Sequence, residues 1–199
     1  MLLSIAEVTL VRARIATARA LAAQRFRDVF TPDLPPTAHL ELQANALLES
    51  ADGVRVMGPI HYAIDGDRIT PYVEQGRPIY DFFDLDPTPL AVFEYWMIIS
   101  EITASSSWAM TRVIATSDEY DDALRRIDAP QLVRVLHGAL LPDVDLRDDG
   151  TAMLDVTVYT RADEERVERR SLFLDAHHEF HFHSRDLIAE GKGGVRATR

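Results

Sequence analysis

The chain has 199 residues, 47% of them hydrophobic and 27% charged, a balance that predicts one packed domain and excludes wholesale disorder. Its 32 acidic against 21 basic residues leave a formal net charge of -11, which disfavours nucleic acid as a partner. The absence of cysteine excludes disulfides, thiolate catalysis, zinc ribbons and iron–sulfur clusters, so any metal would need His, Asp or Glu.

Met1 to Glu7 lacks a basic leader, and Glu7 interrupts the apolar run before a secretory core can form. A cytoplasmic protein is therefore expected. Helical spacing of Val8, Val11, Ile15, Ala18, Ala22, Phe26 and Val29 predicts a long amphipathic helix from Ser4 to about residue 30, where Pro32, Pro35 and Pro36 forbid its continuation. The period then changes to two. Runs at 38–49, 54–64 and 67–74, separated by Asp52-Gly53 and Asp65-Gly66, predict a three-stranded antiparallel meander.

Residues 74–89, with three prolines and the run Tyr80-Asp81-Phe82-Phe83-Asp84-Leu85-Asp86, read as an ordered loop. Residues 90–102 are uniformly apolar, so period alone does not separate helix from strand; Pro89 and the length favour a buried helix. Glu94 lies inside this run, and the run is far shorter than the roughly 20 residues a bilayer requires. No membrane association is expected. A strand follows from Trp108 to Ala115, and Thr116 with Glu119 has the spacing of a capping box that opens a helix through Arg126. Residues 131–141 suit either helix or strand. Runs at 151–160, 167–175 and 177–188, with a turn at Arg147-Asp148-Asp149-Gly150, predict a second antiparallel meander.

Ala46-Leu47-Leu48 before Asp52-Gly53 echoes Ala139-Leu140-Leu141 before Asp149-Gly150. The echo raises a pseudo-repeat of 1–89 and 90–188 inside a single domain, 1–188, followed by a flexible tail, 189–199. The expected fold is α+β, with a long N-terminal helix and shorter helices packed on a curved antiparallel sheet. The helix–turn–long-hairpin order of residues 117–188 resembles that of the cone-shaped NTF2-like and cystatin-like folds. This resemblance is one of architecture and implies no chemistry.

Motif searches narrow the function. There is no Gly-x-Ser-x-Gly elbow or Gly-x-Gly-x-x-Gly, and Gly53 to Gly58 has phosphate-loop spacing but carries Pro59 where lysine is required. Asp143 to Gly150 lacks the glutamate of a calcium loop, since Val156 stands in its place, and reads as a charged turn. Asp81, Asp84 and Asp86 read as a solvated acidic edge, with a hard cation as the alternative.

The densest chemistry is the run His177-His178-Glu179-Phe180-His181-Phe182-His183. Read as a strand, it places His177, Glu179, His181 and His183 on one titratable face and His178, Phe180 and Phe182 on a buried aromatic one. His177, His181 and His183 are the candidate ligands for a divalent transition metal. Glu179, His181, His183 and Arg185 are the candidate catalytic set, with Arg185 orienting Glu179 or binding a carboxylate. The bland alternative is a wet sheet face whose imidazoles bind nothing, or one that responds to pH.

Three functions remain in play. The first is a non-catalytic protein that self-associates or joins an assembly through exposed sheet and aromatic surface, because the aromatics at 80, 82, 83, 93, 95 and 96 exceed what a small core would cover. The second is a small pocket enzyme using the histidine face. The third is a carrier for a small apolar ligand.

Overall fold

The computed structural model describes residues 1–29, 37–42, 53–56, 60–65, 68–72, 79–104, 110–133, 140–161 and 164–192. The first helix, α1 (Ile5–Val29), opens at a reciprocal cap. The Ser4 amide donates to Glu7 Oε2 at 2.7 Å and the Glu7 amide donates to Ser4 Oγ at 3.3 Å, satisfying two otherwise orphaned donors. Val8, Val11 and Ile15 fall at helical steps on one face and are buried.

In the N-terminal half, strands β1 (Thr37–Leu42), β3 (Ile60–Asp65) and β4 (Arg68–Tyr72) form a three-stranded antiparallel sheet in the order β1-β3-β4. The expected run 54–64 is not one strand. Its start, β2 (Val54–Val56), pairs with β5 (Phe83–Leu85), drawing the expected loop into a second small sheet. A 3-10 turn, Ile79–Phe82, precedes β5. Gly53 adopts φ +91 beside these strands, and a Cβ there would sit 3.1 Å from that of Ala91, so any larger residue would be strained in its backbone and tight against its neighbour.

Helix α2 (Pro89–Ala104) settles the ambiguous apolar run as helix. Proline fits its first position, and Thr88 Oγ1 accepts the Ala91 amide at 3.2 Å. Every residue from Ala91 to Trp96 is buried, as are Ile98 and Ile99. A helix enclosed on nearly all sides shows no amphipathic period, which is why its sequence pattern is silent. Four of the six aromatics counted as a surplus, Phe83, Phe93, Tyr95 and Trp96, are core residues, and Tyr80 packs partly buried against this core. Glu94 is buried too, 2.6 Å from the Arg14 guanidinium of α1.

The C-terminal half is a six-stranded antiparallel sheet built from β6 (Met110–Val113), β7 (Asp128–Leu132), β8 (Asp143–Leu146), β9 (Ala152–Arg161), β10 (Glu164–Leu174) and β11 (Phe180–Lys192). Its order is β6-β9-β10-β11-β7, with β8 pairing the start of β9. Ala152, Leu154, Val156 and Val158 alternate onto one face against α1 and α2. Tyr159 and Val167 lie opposite each other on the other face, where helix α3 (Ser117–Arg126) adds Ala123 and Ile127 follows it to build a second core.

The fold is thus α+β, with the predicted helices at 90–102 and 116–126 in place. No described helix is long and apolar enough to cross a membrane. The expected tail changes as well. Ala189, Glu190 and Lys192, assigned above to a flexible tail, belong to β11 and pair with β7, and β7 itself takes the start of the ambiguous segment 131–141 as strand. Ala46-Leu47-Leu48 and Ala139 lie outside the described residues.

Candidate functional site

The histidine run does not begin as a strand. Leu174 and Phe180 close the β10–β11 ladder, and Asp175 to Glu179 form the turn between them. Asp175 builds that turn: its Oδ1 accepts the amides of His177 at 2.8 Å and Glu179 at 3.0 Å, while its carbonyl accepts that of His178 at 3.0 Å. A short carboxylate that mimics a backbone acceptor is a common reason for a chain to reverse at aspartate. His178 takes φ 61 to complete the reversal.

This turn scatters the expected face. His177 sits exposed at the hairpin tip, off the strand. His178 turns inward, with Nδ1 3.3 Å from the Phe83 carbonyl and its ring edge-on to Tyr95, whose hydroxyl donates to the His178 carbonyl at 2.8 Å. His181 is on the strand and exposed, its ring stacked 6.5 Å from Phe173, the residue opposite. The register then slips: Phe182 faces Leu172 but Ser184 faces Ser171, so His183 is the extra residue of a bulge. Phe180 packs on the core as expected, whereas Phe182 is 60% exposed.

Only Glu179 and His181 of the predicted set are brought together, and the residue joining them is Asp175, which the strand reading overlooked. One ligand atom from each of Asp175, Glu179 and His181 lies within 4.8 Å of the others. His181 Nε2 is 2.7 Å from Asp175 Oδ2. Burial opposes ionisation of Asp175, but the His181 hydrogen bond and the two amides outweigh it and lower its pKa. The same hydrogen bond raises that of His181. The field of the two carboxylates reaches the aromatic pad beneath. Burial first, then the Glu179 and Asp175 charges, raise the pKa of the Tyr80 hydroxyl.

Arg185 does not turn toward Glu179. Its Nε lies 3.6 Å from the buried Glu168, whose other carboxylate oxygen accepts from Arg170 at 2.5 Å. Asp84 and Asp86 are claimed by Arg55, at 2.6 and 2.5 Å, so this acidic edge is ion-paired.

A second polar cluster lies beside α3, where Arg112, Arg126, Arg161, Glu119 and Tyr159 line a cleft of about 70 Å³ floored by Ile114 and Ala123. Burial, and then the hydrogen bond and charge of Glu165, push the Tyr159 hydroxyl up to about 12. Glu119 is fully engaged, accepting Arg12 at 2.7 and 3.2 Å and the Ala115 amide at 2.8 Å. Thr116–Glu119 spacing announced the cap, but nothing in the sequence announced Arg12 as its partner 107 positions away.

Comparison of the chain with protein-family models, curated proteins and solved structures gave no match.

Proposed function

We propose that this chain is a non-catalytic protein that pairs with a second copy of itself along the outer edge of β11. The observation that carries the reading is Phe182, 60% exposed in the middle of a stretch, Phe180 to Arg185, whose outer edge has no strand partner among the described residues. An unpaired edge offers a row of backbone donors and acceptors that another strand can complete. Because the edge is identical in every copy, an antiparallel two-fold pairing centred on Phe182 sets one phenyl ring against the other, a favourable cross-strand pair. The bulge at His183 and the flanking polar side chains limit this edge to a short contact and oppose open-ended sheet growth.

The aromatic run is not the motive, since Phe83, Phe93, Tyr95 and Trp96 are in the core; the exposed sheet is. The reading is favoured over a pocket enzyme by the placement of His177, His181 and His183, all three of them exposed. Light scattering at micromolar concentration tests it. Wild type is expected at twice 22.4 kDa. Phe182→Asp is expected as a folded monomer, its melting temperature lowered only by the lost stabilisation of pairing. A wild-type monomer, or a dimer indifferent to Phe182→Asp, would overturn it.

A further inference from the structure

We infer that the tip of the β10–β11 hairpin binds one divalent transition-metal ion through Asp175, Glu179 and His181. Two carboxylate oxygens and one imidazole nitrogen already stand within 4.8 Å of one another, a donor set suited to zinc or manganese with the remaining positions left to water.

The ligands are held in place from outside the cluster. Asp175 Oδ1 is fixed by two backbone amides, which leaves Oδ2 to face the site. His181 is set by the β10–β11 ladder and by its stack on Phe173, so Nε2 is directed to the same point. Supported ligands of this kind are what separates a site from a chance encounter of polar side chains.

Charge supplies the second, independent argument. At four other places an arginine lies against carboxylates: Arg55 on Asp84 and Asp86, Arg12 on Glu119, Arg14 on Glu94 and Arg170 on Glu168. At the hairpin tip, the only basic side chain in contact with the two carboxylates among the described residues is His181. No arginine or lysine contacts the Asp175 and Glu179 carboxylates among the described residues, and a bound dication supplies the positive charge that an arginine supplies at those other pairs. An ion about 2.0–2.2 Å from each ligand would hold Asp175 Oδ2 and His181 Nε2 roughly 3.3 Å apart. Metal entry therefore replaces the present 2.7 Å hydrogen bond by a modest side-chain opening.

The ligand set differs from the one expected from the sequence, because His177 and His183 are not part of the cluster. That difference supplies the test. Full-length protein is titrated with zinc against a chromophoric chelator. Wild type is expected to bind one zinc per chain. Asp175→Asn and His181→Ala should each weaken binding at least about tenfold, since loss of a mere supporting residue costs that much. His177→Ala and His183→Ala should leave it unchanged. Asp175→Asn retains an oxygen for both turn amides, and Glu179→Gln provides a variant outside them, so a folded protein is available for each arm. Phe182→Asp should keep the site, which separates this inference from self-association. No saturable single site, or equal weakening by His177→Ala or His183→Ala, would overturn it.

Discussion

The cap of α3 and the tip of the β10–β11 hairpin each gather charged side chains around a turn, and they do opposite things with them. At the cap, Glu119 has Arg12 on both oxygens and a backbone amide besides. At the hairpin, Asp175 uses one oxygen for the turn and meets only an exposed imidazole with the other. A carboxylate whose lone pairs are all taken from inside the protein stabilises the fold. One that keeps a lone pair facing solvent beside a second carboxylate can take a ligand.

The sharpest way to break this contrast is Glu119→Ala, which removes a cap acceptor and a partly buried ion pair joining α1 to α3. It is expected to cost about 3 kcal/mol in urea unfolding. Asp175→Ala removes the one oxygen that accepts both turn amides, at a half-buried position, and should cost about 1 kcal/mol. A cost at Asp175 as large as that at Glu119 would make the hairpin structural and erase the distinction.

Acid offers a subtler probe of the same cap. Burial would raise the pKa of Glu119, but the Arg12 hydrogen bond, the Ala115 amide and the charges of Arg12 and Arg112 hold it below the usual carboxylate range. A depressed folded pKa contributes stability above the unfolded value, about 4.3, and loses it as pH falls through the folded value. Melting temperatures between pH 7 and pH 3 should therefore fall less steeply in Arg12→Ala than in wild type. Equal slopes would show that the pair carries no such linkage. Smallest of all is His183→Ala, at an exposed bulge, where unfolding should change by no more than about 0.5 kcal/mol.

What was legible in the sequence follows from the same physics. Thr116 and Glu119 are three residues apart, so their cap is a local signal, and Pro89 marks the start of α2. The inward alternation of Ala152 to Val158 is likewise visible in the chain. Asp175 was missed because alternating His and Phe residues satisfy a strand pattern whether the strand begins at residue 177 or at residue 180. The slip at His183 depends on β10, a partner that the period of one strand does not contain. Ala189 to Lys192 look like a glycine-flanked tail until β7 is placed beside them. In each case the missing information was the identity of the neighbour.

Hydrogen exchange of the β11 backbone tests the central proposal most directly, because it reads the edge itself. In wild type, amides within residues 180–185 should become more protected as concentration rises through the micromolar range, and Phe182→Asp should abolish the change. Exchange in this segment that is independent of concentration would contradict self-association through β11.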